Sequence, residues 1–370
     1  MKPTSQLYDL GQRLWLDTIS RELLDNEILQ RYITVFSVTG LTSNPAIFDG
    51  AIATGNAYDQ GILEKAQAGK YGETLFIELA LEDLCRAADL FRPVFNSSHQ
   101  TDGWVSMEIS PLLSAKTEDS IASARQIHQQ ANRPNLFVKI PGTPEGIPAI
   151  EELIFGGVPI NVTLLFSREQ YLAAAEAYMR GIERRIKAGL NPRVTSVASL
   201  FVSRWDVAVK DKAPKELRNT LGIAICQRTY RAHRELLASP RWRALAAAGA
   251  YPQRLLWAST GSKDPEVSDT FYVEALAAPD TINTLPEKTL LAFAEHGKIK
   301  GAMAEDGGDA ESVLACFEKA GFDINALALQ LQHDGTQSFI KSWQQLLQRI
   351  ADKSAALSAP TPVQSGKPAS

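Results

Sequence analysis

Lys139 sits in an apolar run at residues 135–143 (NLFVKIPGT), between Val138 and Ile140 and just before a Pro-Gly turn. A lysine in such company either snorkels to a solvated edge or does chemistry. Apolar walls disfavour its ammonium form, and the neutral amine can attack a carbonyl carbon to form a Schiff base. Two carboxylates occupy comparable surroundings: Asp17 interrupts the apolar run at 14–19 (LWLDTI), and Glu108 lies within 104–111 (WVSMEISP). An imine on Lys139 would act as an electron sink, so that a neighbouring carbon–carbon bond could break and leave an enamine on the chain. Glu108 would then serve the carbonyl oxygen as it departs as water, and Asp17 would take the proton from the hydroxyl whose bond cleaves. A turn-capping Asp17 is equally compatible with its position at this point. Ser199, Arg204 and Lys263 supply positive charge and donors suited to a phosphate.

These side chains need elements that hold them together. Period-two alternation puts Ser106 and Glu108 on one face of 104–111, and Asn161 with Thr163 on one face of 159–166 (PINVTLLF). Residues 35–44 (VFSVTGLTSN) are β-branched and end in Thr42-Ser43-Asn44 directly before Pro45, a strand-to-helix corner. Such a corner offers donors to an oxygen-rich ligand, although Ser and Asn before Pro also cap helices. Further strands are expected at 194–201, 254–260 and 281–286. Helical spacing marks 4–11, the stretch after Ser20, two or three pieces from 63 to 95, then 117–130, 145–155 and 216–237. Ser167 and Gln170 form a capping-box pattern for 167–187, whose Tyr171, Ala174, Tyr178, Ile182 and Ile186 make a packing stripe. Helices from Glu287, Ala310 and Asn325 close the ordered chain near Lys353.

Eight strand candidates alternating with helices define a (β/α)8 TIM-type barrel with additional helices. An open doubly wound sheet would call for a glycine-rich nucleotide loop, and neither GxGxxG nor GxxxxGK[ST] occurs. In a barrel, polar residues at strand C-terminal ends share one mouth, where Asp17, Asn44, Glu108, Lys139, Asn161, Thr163 and Ser199 would converge. The expected organisation is one catalytic domain over 1–353 and a disordered Ala-, Pro- and Ser-rich tail over 354–370.

The 370 residues are 45% hydrophobic and 22% charged, with a formal net charge of -4, so no basic field exists to collect nucleic acid or an anionic membrane. Small molecules are the expected partners. Cys85, Cys226 and Cys316 form no CxxC pair and no histidine-cysteine cluster, which points away from disulfides and metal and toward a reducing, cytoplasmic setting. No apolar run reaches the roughly 18 to 20 residues of a membrane span, and the first residues lack the apolar core of a signal peptide.

Five motifs carry a resemblance: LTSNPAIF at 41–48, VSMEISP at 105–111, FVKIPGTPEG at 137–146, INVTLLFS at 160–167 and ASTGSKDP at 258–265. With them the chain resembles the transaldolase family, in its longer subfamily, over nearly all but the tail. The resemblance implies that Lys139 is the Schiff-base lysine and Asp17 the acid/base of carbon–carbon cleavage, with Glu108 and Thr163 holding the catalytic water. It implies that Thr42, Asn44, Ser106 and Asn161 bind the sugar and that Ser199 and Arg204 hold its phosphate. The implied reaction moves a dihydroxyacetone unit from sedoheptulose 7-phosphate to glyceraldehyde 3-phosphate, giving erythrose 4-phosphate and fructose 6-phosphate in the non-oxidative pentose phosphate pathway. No cofactor is implied, and monomer and homodimer both stay open. Shorter members carry a second phosphate-binding arginine after the seventh strand, where this chain has Ser262-Lys263. Two other readings stand beside this one. A free aldolase of the same fold would release dihydroxyacetone, and a non-catalytic phosphosugar-binding barrel would keep Ser199, Arg204 and Lys263 with no need of Asp17 or Lys139. The tail also resembles the linker of family fusions with glucose-6-phosphate isomerase, although a solvated terminus accounts for it as well.

Overall fold

The computed structural model describes residues 2–358. Eight short parallel strands close on themselves: β1 (Arg13–Leu16), β2 (Val38–Thr42), β3 (Trp104–Glu108), β4 (Leu136–Pro141), β5 (Ile160–Leu165), β6 (Ser196–Phe201), β7 (Arg254–Ala258) and β8 (Ile282–Leu285), with β8 pairing back onto β1. All strand residues are buried except the first of β1 and of β7. That is the signature of a parallel sheet covered on both faces, with helices outside and side chains filling the barrel inside.

The interior is built in layers. Trp15, Trp104 and Phe137 stack low in the barrel, with ring centroids 4.1 Å apart for Trp104–Phe137 and 6.1 Å for Trp15–Phe137. Gly40 on β2 faces Trp15, where a Cβ would lie 2.5 Å from the indole, so only glycine admits that ring. Two residues further along each strand, alternation carries the next layer to the mouth: Asp17 above Trp15, Thr42 above Gly40, Ser106 above Trp104 and Lys139 above Phe137. Cross-strand register fixes their neighbours. Thr42 pairs with Ser106, Glu108 with Lys139, Lys139 with Asn161 and Pro141 with Thr163.

Several boundaries differ from the sequence reading. Residues 35–36 belong to the helix Ile28–Phe36, whose Leu29, Tyr32 and Phe36 face inward; Ser37 at φ 55° ends it, and β2 begins only at Val38. Propensity misled here because the β-branched Thr34 and Val35 lie on the exposed side of a helix whose apolar stripe runs on to Phe36. The stretch after Ser20 breaks into Arg21–Asp25 and Ile28–Phe36 around Glu27, itself at φ 57°. β1 stops at Leu16, β6 starts at Ser196 rather than 194, and a 3-10 turn at Lys215–Leu217 precedes the helix Leu221–Ala238. The Ser167 cap is present, its side chain accepting from Gln170 N at 3.2 Å, while Gln170 Oε1 accepts from Phe166 N at 2.7 Å.

The C-terminal helix, Ile324–Ser358, runs past its expected end near Lys353, since Ala355, Ala356 and Leu357 favour helix. The rest of the expected tail, 359–370, lies outside the described residues. This helix crosses the mouth side of the barrel and is fastened there. Gln332 Nε2 donates to Gly142 O at 3.0 Å and to Leu164 O at 2.9 Å, taking up two strand-end carbonyls. Gly335 permits the close approach, as a Cβ there would lie 3.0 Å from Leu164 Cδ2. Buried Trp343 stands edge-on to Phe76 at 5.1 Å. Among the described residues no helix is long and apolar enough to cross a membrane.

Candidate active site

Lys139 reaches the mouth from β4 and is almost entirely buried. Its Nζ donates to Ser43 O at 3.0 Å and lies 2.8 Å from Glu108 Oε1. The expectation that apolar flanks wall the amine is therefore corrected. Val138 and Ile140, one residue either way along the strand, turn to the opposite face and pack outward, and what the amine meets is a carboxylate and a carbonyl. Glu108 comes from β3 and is held opposite Lys139 by the strand register. Burial pushes its carboxyl above the usual range; the Lys139 charge and hydrogen bond pull it down, and Asp17 adds to the rise.

Asp17 follows β1 directly, its N–H continuing the ladder to Leu285 O at 2.7 Å. Burial raises its carboxyl too, against the hydrogen bond from Thr42 and the charges of Lys139 and Lys263. Thr42 Oγ1 donates to Asp17 Oδ1 at 2.7 Å. A hydroxyl has one proton, so the 2.6 Å contact between Thr42 and Thr284 must have Thr284 as the donor. Asp17 is thus oriented by a two-hydroxyl relay from β2 and β8.

Beneath the mouth a second chain of bonds ties three strands. Ser199 Oγ donates to Asn161 Oδ1 at 2.7 Å, and Asn161 Nδ2 donates to Ser106 Oγ at 3.1 Å. Asn161 and Ser106 are fully buried, which places them under the cavity rather than along its open wall. Thr163, on β5 one pair beyond Lys139, has a buried hydroxyl with no hydrogen-bond partner among the described residues, and the same holds for Glu108 Oε2. The two line one small recess with Lys139.

The cavity at the mouth is about 160 Å³ and is lined by Asp17, Thr42, Asn44, Lys139, Thr163, Ser199, Arg204 and Lys263. Of the expected site residues, Glu108 lines the adjoining recess, Ser106 and Asn161 lie beneath, and the rest line this cavity. Asn44 Oδ1 caps the helix Pro45–Ala53 through Ile47 N at 3.0 Å, and the residue also lines the cavity. Arg204, second residue of the helix Ser203–Val209, lies under the Phe201 ring at 5.2 Å and the Phe339 ring at 5.9 Å. Burial lowers its pKa, with Glu108 opposing, and no carboxylate pairs with it within 4 Å among the described residues. Lys263 stands exposed at the rim.

Sequence reasoning missed Ser43, Thr284 and Phe339. Ser43 acts through its backbone carbonyl, which no side-chain pattern reports. Thr284 sits in TINTLP, and period two from Ile282 would have aimed it inward. Phe339 lies in a helix distant in sequence from the strand ends, and no local pattern ties it to them.

Fold and site together define a (β/α)8-barrel protein whose strand ends gather one buried lysine, two carboxylates and an unpaired arginine in a single mouth. A family model described as Transaldolase/Fructose-6-phosphate aldolase matches residues 14–350. A transaldolase from Thermobifida fusca is 42% identical over 96% of this chain and 99% of its own. Others from Saccharopolyspora erythraea, at 40% over 94% and 96%, and Thiobacillus denitrificans, at 41% over 95% and 100%, match equally completely. The chain belongs to the transaldolase/fructose-6-phosphate aldolase family. A solved aldolase structure from Coccidioides immitis aligns over 96% of this chain and 94% of its own at 11% identity with a TM-score of 0.29, too slight a likeness to bear on the fold.

Proposed function

We propose that this chain is a transaldolase working through an imine on Lys139, moving a dihydroxyacetone unit from sedoheptulose 7-phosphate to glyceraldehyde 3-phosphate in the pentose phosphate pathway. The observation that carries the reading is the meeting of Lys139 Nζ with Glu108 Oε1 at 2.8 Å in the mouth that Asp17 and Arg204 also line. Glu108, made more basic by burial, takes the ammonium proton, and the freed amine attacks the substrate ketone. The same carboxyl returns a proton as the ketone oxygen leaves as water, which Glu108 Oε2 and the Thr163 hydroxyl are placed to hold. Asp17 accepts the hydroxyl proton as the next carbon–carbon bond breaks, releasing erythrose 4-phosphate and leaving an enamine on Lys139. Attack of that enamine on glyceraldehyde 3-phosphate, with Asp17 giving its proton back, and hydrolysis of the new imine yield fructose 6-phosphate. No step calls for a cofactor.

Thr42 orients Asp17; Asn44 and Asn161, with Ser106 beside them, bind the sugar; and Ser199 and Arg204, with Lys263, meet the phosphate. Full-length relatives that bear the name transaldolase favour transfer over release of free dihydroxyacetone. Borohydride added with fructose 6-phosphate should leave a reduced adduct on Lys139, located by peptide mass spectrometry, and Lys139→Arg should abolish turnover while folding normally. Adducts on another lysine would overturn the mechanism; dihydroxyacetone released at the transfer rate without an acceptor would instead make it an aldolase.

A further inference from the structure

The opposite end of the barrel holds a second cavity, of about 530 Å³, which shares no lining residue with the mouth. Its wall is made where strands begin: Arg13 opens β1, Asp102 precedes β3, Arg254 opens β7 and Asp280 precedes β8, with His233 reaching in from the helix Leu221–Ala238. Three of these four charges have an ion-pair partner within 4 Å. Asp102 Oδ2 lies 3.4 Å from Arg13 Nε, and Asp280 pairs with Arg234 at 3.0 Å. Arg254 has no carboxylate within 4 Å among the described residues. It donates to Thr101 O and Thr281 O, both at 3.2 Å, which engages two of the five N–H groups that a guanidinium carries.

His233 supplies the independent observation. The ring is 1% exposed and lines the cavity; Nδ1 is 2.7 Å from the Tyr171 hydroxyl, and Nε2 has no partner among the described residues. Burial pushes the Tyr171 phenol up, so it keeps its proton and donates it to Nδ1. Burial, with Arg234 and Arg254 nearby, pushes the imidazole down to about 3, so the ring is neutral and its one proton sits on Nε2. The wall therefore presents an N–H without an acceptor among the described residues beside a guanidinium whose compensating carboxylates, Asp102 and Asp280, both lie beyond 4 Å. Burying such donors unmet costs free energy that an oxyanion would recover. Asp102 Oδ2, buried and also without a hydrogen-bond partner among the described residues, adds a requirement in the other direction, since it repels a bare anion and accepts from a hydroxyl.

We propose that this cavity is a second ligand site, remote from the mouth, for a small oxyanion that also carries a hydroxyl, such as hydrogen phosphate or a hydroxycarboxylate. Arg254 and His233 Nε2–H hold the oxyanion and Asp102 takes the hydroxyl. The site is independent of the reaction at Lys139. Its test uses the full chain with 15N-labelled histidine, the His233 signals assigned by their loss in His233→Gln, and titration with inorganic phosphate, glycolate or acetate. The Nε2 resonance should shift saturably with phosphate or glycolate, and acetate, which lacks the hydroxyl, should bind more weakly. Phosphate alone shifting it identifies the ligand as a phosphate; glycolate alone, a hydroxycarboxylate. Arg254→Gln should weaken binding about tenfold or more while leaving turnover intact, which certifies its fold. The response should persist in an Arg204→Ala, Lys263→Ala double variant, whose mouth no longer attracts anions. No saturable shift with either probe, undiminished binding in Arg254→Gln, or loss of the shift in the mouth variant would overturn the proposal.

Discussion

Replacing Asp17 by Asn and Glu108 by Gln should stop the reaction at two different bonds. In the proposed mechanism Glu108, 2.8 Å from the Lys139 nitrogen, serves imine formation, whereas Asp17, oriented by Thr42 at 2.7 Å, serves carbon–carbon cleavage. Loss of a positioned acid/base costs about 10²- to 10⁴-fold, or ~3–5 kcal/mol of barrier, on the step it serves. Rapid-quench trapping with borohydride and fructose 6-phosphate separates the steps. Asp17→Asn should form its adduct near the wild-type rate and accumulate the intact sugar phosphate on Lys139, with transfer down by that factor. Glu108→Gln should slow adduct formation itself. The variants should differ in stability as well. The Lys139 and Glu108 side chains are only 7% and 8% exposed, and removing one partner of a buried pair costs ~3–5 kcal/mol. The low end applies here, because Ser43 O still accepts from the amine at 3.0 Å. Asp17→Asn instead relieves a buried carboxylate while keeping an acceptor for Thr42, so its denaturation midpoint should not fall. Trapping by Glu108→Gln at the wild-type rate, or both variants slowing the same step, would refute this division of labour.

Arg204→Ala should raise KM for phosphorylated substrates by about 10²-fold, a loss of ~3 kcal/mol, with a much smaller effect on unphosphorylated aldehydes; exposed Lys263→Ala should do the same more weakly, as steady-state kinetics with paired acceptors would read. Gln332→Ala strands the Gly142 and Leu164 carbonyls at ~1–3 kcal/mol each and should loosen the C-terminal helix, seen as faster amide exchange around Phe339 and reduced turnover. Asp206, buried where it accepts from Leu221 N, Gly222 N and Tyr272 OH, is raised to about 6 by burial. The folded state then holds its proton where the unfolded state has lost it, so this group's contribution to stability falls as pH rises from about 4 to 6. Wild type minus Asp206→Asn in chemical denaturation should show that fall, on the order of 3 kcal/mol; a flat difference would contradict it.

The architecture was open to reading from sequence because it rests on local periodicities. Alternation within WVSMEISP and PINVTLLF, and the regular return of apolar runs between helical stretches, specify parallel strands whose polar positions share one face. Boundaries read less well where two signals compete, as at residues 35–36, where β-branched Val35 suggests a strand while Phe36 continues a helical stripe. Lys139, Asp17 and Glu108 stood out as candidates for chemistry because they are polar groups in apolar company, and the barrel then implied that they meet. How they meet depends on contacts between segments far apart in sequence. The amine's surroundings are a carbonyl from the β2 corner and a carboxylate set by the β3–β4 register, rather than the apolar residues beside it. Thr284 joins Asp17 only because β8 closes on β1, and Phe339 reaches Arg204 only because Gln332 fastens the last helix over β4 and β5. Sequence by itself determined which side chains were too polar for their neighbourhoods. Closure and register decided what each one touches, because those are long-range pairings that no local pattern encodes.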